Sequence, residues 1–150
     1  MRIILLAAVL SALAGTPAQA GKRIALVIGN SIYKNAETIS TAANDATLMA
    51  QTFKAAGFDE VELHQNLDYR SFRGVLRDFS EKAEGSDAAV VFFAGYGVSV
   101  EGSNYLVPID ARLANETDVQ DEAVPLERVW LSLSSAKTFK LIALDASYQH

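Results

Sequence analysis

The chain has 150 residues, half of them hydrophobic, with 13 Lys and Arg against 18 Asp and Glu for a formal net charge of −5. That acidic balance argues against a nucleic-acid or anionic-membrane surface, since both call for clustered Lys and Arg, while the apolar content suits one domain with a sizeable core. No cysteine is present, which excludes disulfides, zinc–thiolate centres and a thiol nucleophile.

In chain order, Met1-Arg2, the apolar run Ile3 to Leu13 and Ala18-Gln19-Ala20 form the pattern of an export signal cut before Gly21. The run is short for a membrane span and is followed by Gly15, Pro17 and Gln19. Residues 1–20 are therefore expected to be a signal peptide and residues 21–150 a single secreted or periplasmic domain, with no membrane span in the mature chain.

Arg23 to Ile28 is a nearly unbroken apolar run, the pattern of a strand buried on both faces. Asn44 or Asp45 is placed to cap a helix with Leu48, Met49, Thr52, Phe53 and Ala56 on one stripe, closed by Gly57. Val61 to His64 alternates as a short strand. Asp68 then caps a second helix, whose Phe72, Val75, Leu76 and Phe79 recur at helical spacing until Gly85. Ala88 to Ala94 is the strongest strand pattern, and it runs into Gly95-Tyr96-Gly97, where a sharp turn is expected. Val98–Val100 and Asn104–Val107 flank Glu101-Gly102-Ser103 as a hairpin. After an acidic loop containing Glu116, Asp118, Asp121 and Glu122, Pro125 opens a third helix with Leu126, Val129, Trp130 and Leu133 inward. Lys140 to Leu144 reads as the last buried strand.

Alternating strands and helices predict a three-layer α/β sandwich around a mostly parallel sheet. Ligands of such sheets sit beyond the carboxyl ends of the strands. Two loops qualify, Gly95-Tyr96-Gly97 and Asp145-Ala146-Ser147, and if their strands are neighbours Tyr96 and Ser147 face one crevice.

The stretches ALVIGNSIY, AANDATLMAQTFKAAGF, VVFFAGYGVSVEGSNYLVPID and LIALDAS resemble the large-subunit half of the caspase/metacaspase-like peptidases, over roughly Arg23 to Ser147. The resemblance implies the caspase-like sandwich, without the small-subunit strands that follow the nucleophile in family members. It also places the catalytic base of a Gly-His-Gly motif at Tyr96, between Gly95 and Gly97, and the nucleophile of an Asp-x-Cys motif at Ser147. Asp145 matches an acid that in metacaspases contacts a basic side chain of the substrate. Capping the turn after its strand is an equal reading.

Both dyad positions depart from the family pattern. A Cys–His pair works because a thiol ionises readily and an imidazole titrates near neutrality. A phenol, with a reference pKa of about 10, keeps its proton there, and a serine hydroxyl attacks nothing without a base. Losing either partner of such a pair removes several orders of magnitude of rate. The expectation is a pseudo-peptidase whose crevice binds a peptide or protein without cutting it.

Two alternatives stand beside it. A weak serine-type endopeptidase would use Ser147 with His150 or Tyr96 as base, although no Gly-x-Ser-x-Gly elbow surrounds Ser147. A non-catalytic small-molecule module of nucleotide-binding type would use Gly29-Asn30-Ser31-Ile32-Tyr33, which lacks further glycines and a phosphate-binding lysine. His64 reads as a strand-face residue. No metal or cofactor is expected from the residues, and the acidic loop matches no calcium-loop spacing. Calcium enters by the resemblance alone. The strand Leu141–Leu144 is expected to lie at an open sheet edge, to be met by a missing small-subunit segment or a second copy, the chain being a fragment in the first case.

Overall fold

The computed structural model describes residues 21–149. The leader read over residues 1–20 and the alternative base His150 lie outside the described residues. The elements are β1 (Arg23–Gly29), α1 (Ala42–Ala55), β2 (Glu60–Gln65), α2 (Tyr69–Ala83), β3 (Ala88–Val100), β4 (Ser103–Leu106), α3 (Glu116–Glu122), β5 (Val124–Pro125), α4 (Leu126–Leu133) and β6 (Phe139–Gln149). β1 runs parallel to β2 on one side and to β3 on the other, and β6 runs parallel to β3 on β3's far side. β4 and β5 add antiparallel pairs above the end of β1. The sheet is thus mixed but mostly parallel.

Its two faces are covered by different chemistry, which gives the expected three layers. On one face Ile24, Leu26 and Ile28 of β1 and Ala89, Val91 and Phe93 of β3 pack against α2 and α4. Phe72 and Phe93 stack there with ring centroids 5.8 Å apart. On the other face Val27, Phe92 and Ala94 meet Ala42, Ala46 and Ala50 of α1. The small residues let α1 lie close to β1: a Cβ at Gly29 would stand 2.6 Å from that of Ala46. α2 starts where Asp68 accepts a hydrogen bond from the Ser71 amide at 2.8 Å, the N-cap read from the sequence. Among the described residues, no helix is long and apolar enough to cross a membrane.

Several expectations are corrected. The stripe of α1 that faces the sheet is centred on the alanine row, with Met49 and Phe53 packed beside it as expected, while Leu48 is 64% exposed. The N-cap position of α1 is Thr41 rather than Asn44 or Asp45. In α4, Val129, Ser132 and Leu133 are buried while Trp130 is turned to the outside, because the contact with α2 takes a narrower stripe than hydrophobicity alone suggests. The acidic loop contains a short helix, α3, capped by Asn115. The largest correction concerns β3 and β6. Both run on as strands through the segments read as loops, β3 to Val100 and β6 to Gln149, paired to each other from Ala88–Phe139 to Val98–Gln149. The hairpin turn is the pair Glu101-Gly102, both at positive φ, between paired Val100 and Ser103.

Phe93 is fully buried at the centre of the larger core. Phe93→Ala is expected to cost about 3–5 kcal/mol of unfolding free energy, read by chemical denaturation. Leu48→Ala, on the exposed side of α1, is expected to cost less than about 0.5 kcal/mol.

Candidate functional site

The continuous β3–β6 ladder determines which side chains meet. Ala94 is in register with Asp145, and Tyr96 with Ser147. Register partners in a parallel pair project from the same face, and adjacent strands lie about 4.8 Å apart. Tyr96 and Ser147 therefore stand side by side. Asp145, two residues before Ser147, shares their face. That face is the α1 side, since Phe92, Ala94 and Ala143 of the same parity pack there. Ser147 and Asp145 are exposed and Tyr96 is half-buried.

Gly95 and Gly97 serve close packing here, not a turn. A Cβ on Gly95 would come within 2.6 Å of the Tyr33 hydroxyl and 2.7 Å of the Phe93 ring, and one on Gly97 would meet the Tyr148 ring at 3.1 Å. Tyr148 thus packs behind the strand while Tyr96 stands in front.

Tyr96 is held by residues of the segment after β1, which sequence reasoning had weighed only as a phosphate-binding alternative. β1 leaves β3 after Gly29, whose partner is Ala94, and β4 joins at Gly97. Between them the Tyr96 amide faces no strand. The Tyr33 hydroxyl accepts its hydrogen bond at 2.9 Å and donates to the Val107 carbonyl at 3.3 Å, while the Val107 amide donates to the Tyr96 carbonyl at 2.9 Å. The two tyrosine rings touch, with centroids 4.8 Å apart at 55°. Burial pushes the Tyr33 phenol far above its ordinary range, so it stays a neutral donor. Asn30, fully buried, completes the seam. Its amide nitrogen donates to the carbonyls of Leu67 and Val107, and its oxygen accepts from the Leu67 amide at 2.9 Å.

The remaining candidates are placed elsewhere. The amides of Ser31 and Ile32, which a phosphate-binding loop would present to its ligand, both donate to the Asn66 side chain at 3.0 Å. His64 sits on β2 with its Nε2 3.2 Å from Glu62, two strands away from β3. In the acidic segment, Asp118 accepts from the Ala114 amide and Glu122 from the Arg112 and Leu113 amides. These carboxylates are used to cap their own backbone. Among the described residues no three His, Asp or Glu side chains are grouped to hold a metal ion. The described face thus offers a hydroxyl, a phenol and a carboxylate, with no imidazole beside them.

Tyr33→Phe leaves the Tyr96 amide without its acceptor while keeping the ring contact. It is expected to cost about 1–3 kcal/mol of stability and to speed hydrogen exchange at the Tyr96 amide. Unchanged exchange at that amide would contradict the role given to Tyr33.

The caspase-domain family model matches residues 22–149, which spans every element from β1 to β6 and includes both Tyr96 and Ser147. No curated protein matches the chain. With the α/β sandwich, the parallel β3–β6 pair and this match over nearly the whole described chain, the protein belongs to the caspase-domain family of peptidase-like proteins.

Proposed function

We propose that this caspase domain is a pseudo-peptidase, which binds a peptide or protein segment over Tyr96 and Ser147 without cleaving it. The observation that carries the reading is the register itself. The two positions are adjacent on one face, a placement that would suit a nucleophile and its base, and on this reading both groups are of the wrong kind. A serine needs a neighbouring base to lose its proton, and Tyr96 brings a phenol where a Cys–His pair would bring an imidazole. Asp145 on the same face has no ion-pair or hydrogen-bond partner among the described residues and suits a Lys or Arg side chain of the ligand. Binding calls for no metal or cofactor. The leader pattern makes the domain an exported one.

The same reading assigns a partner to the edge of β6 that no strand covers among the described residues. The opposite edge, β2, is lined by Glu60, Glu62 and His64 with Lys22 and Lys82 bridged to the two glutamates, the charged protection usual for an edge strand. β6 instead exposes Phe139, Leu141, Leu144 and Tyr148. We assign this edge to a second copy, because antiparallel β6–β6 pairing about a two-fold axis sets the same apolar residues against each other. Sedimentation is expected to show concentration-dependent dimers that Leu141→Lys shifts toward monomer. A wild-type chain that stays monomeric at all concentrations would remove this assignment.

The functional test is hydrolysis of fluorogenic peptides with Arg, Lys or Asp before the scissile bond, with and without calcium. The wild type is expected to be silent, and the double substitution Tyr96→His with Ser147→Cys to cleave at least tenfold above it. Wild-type cleavage that disappears in Ser147→Ala would overturn the pseudo-peptidase reading in favour of a serine-type enzyme.

A further inference from the structure

Beside Tyr96, on the side away from Ser147, lies a cavity of about 310 Å³, within the range of small-ligand sites. Tyr33, Tyr96, Val98, Val107, Leu113 and Val119 supply its apolar and aromatic lining. Tyr33, Val107 and Val119 are buried, so this part of the wall is fixed by the core. Arg112 and Glu116 also line it, and both residues are exposed.

Those two charges differ from the others around them. Asp118 and Glu122 are occupied by amides of their own segment. The Arg112 guanidinium and the Glu116 carboxylate make no ion pair or side-chain hydrogen bond among the described residues, and they are not paired with each other. One cation and one anion therefore line a single, partly apolar cavity with their hydrogen-bonding capacity unused. A ligand that meets all three features carries an apolar body, a carboxylate and an ammonium group.

We propose that this cavity binds a free apolar or aromatic α-amino acid. The side chain lies against Tyr33, Tyr96, Val98 and Val107. The carboxylate accepts from Arg112, whose forked donors match it, and the ammonium donates to Glu116. Neutral analogues lose both charged contacts, and glycine loses the apolar one. The site adjoins the dyad positions through the Tyr96 ring but does not depend on whether Ser147 reacts, so it stands apart from the pseudo-peptidase reading.

The test is calorimetric titration of the whole chain with L-phenylalanine, L-leucine, glycine and N-acetyl-L-phenylalaninamide. Saturable binding of the first two is expected, at least tenfold tighter than that of glycine or the uncharged amide. Arg112→Gln and Glu116→Gln, each at an exposed side chain without a partner, are expected to keep the wild-type melting temperature and to weaken L-phenylalanine binding at least tenfold. The assignment is overturned if neither apolar amino acid binds saturably to the folded wild type. It is equally overturned if the uncharged amide binds as well as L-phenylalanine, or if both substitutions leave binding unchanged. Hydrolysis is not the readout, so failure here and failure of the pseudo-peptidase reading are told apart.

Discussion

A strand buried on both faces must pair its amides and carbonyls along its whole length, and β3 is thirteen residues long. On one side β6 satisfies that demand alone. On the other, β1 covers the strand only as far as Ala94 and β4 only from Gly97. The gap between them falls at Tyr96. It is closed by the Asn30 amide donating to the Ala94 carbonyl, by the Tyr33 hydroxyl and by the Val107 amide. This seam keeps β3 extended through Gly95-Tyr96-Gly97, and only while β3 stays extended can β6 remain in register beside it as far as Gln149.

The chemistry of the face follows from that register. A slip by one residue would send Ser147 to the opposite side of the sheet from Tyr96. With the ladder intact, the two positions that would hold a base and a nucleophile are presented together, backed by Tyr148 against Gly97 and by Tyr33 against Tyr96. The pairing thus keeps Tyr96 and Ser147 together on one face. On the proposed reading what differs is the chemistry of the two groups, a hydroxyl and a phenol standing where a nucleophile and an imidazole base would. A partly apolar face with an Asp145 that has no partner among the described residues is suited to recognition, and the proposed reading as a binding module rests on the side-by-side placement of Tyr96 and Ser147.

Much of this was legible from the residues. α2 announces itself by its Asp68 cap, its apolar spacing and Gly85, and the structure places all three as read. β1 and the first half of β3 are apolar runs that only a doubly covered strand explains. The resemblance to the caspase-like peptidases led to the same two residues that the register brings together. Glycine was the main source of error. Gly-Tyr-Gly reads as a turn because glycine permits one, yet here the missing Cβ atoms make room for Tyr33, Phe93 and Tyr148. The alanine row of α1 was overlooked because its strength lies in close approach and not in hydrophobicity. Asn30 and Tyr33 were read as part of a possible phosphate-binding loop and gave no sign of this structural role, since their partners Leu67 and Val107 are distant in sequence and only the topology brings them near.

The central claim is that Ser147 is held in place but not activated. A serine-directed fluorophosphonate reports on that directly, because it forms a stable adduct only with a hydroxyl whose proton is being removed. Intact-mass measurement after incubation of the full chain is predicted to show the unmodified mass, with Ser147→Ala behaving identically. An adduct mapped to Ser147 and absent from Ser147→Ala would contradict the account, because it would mean that a base reaches this face after all.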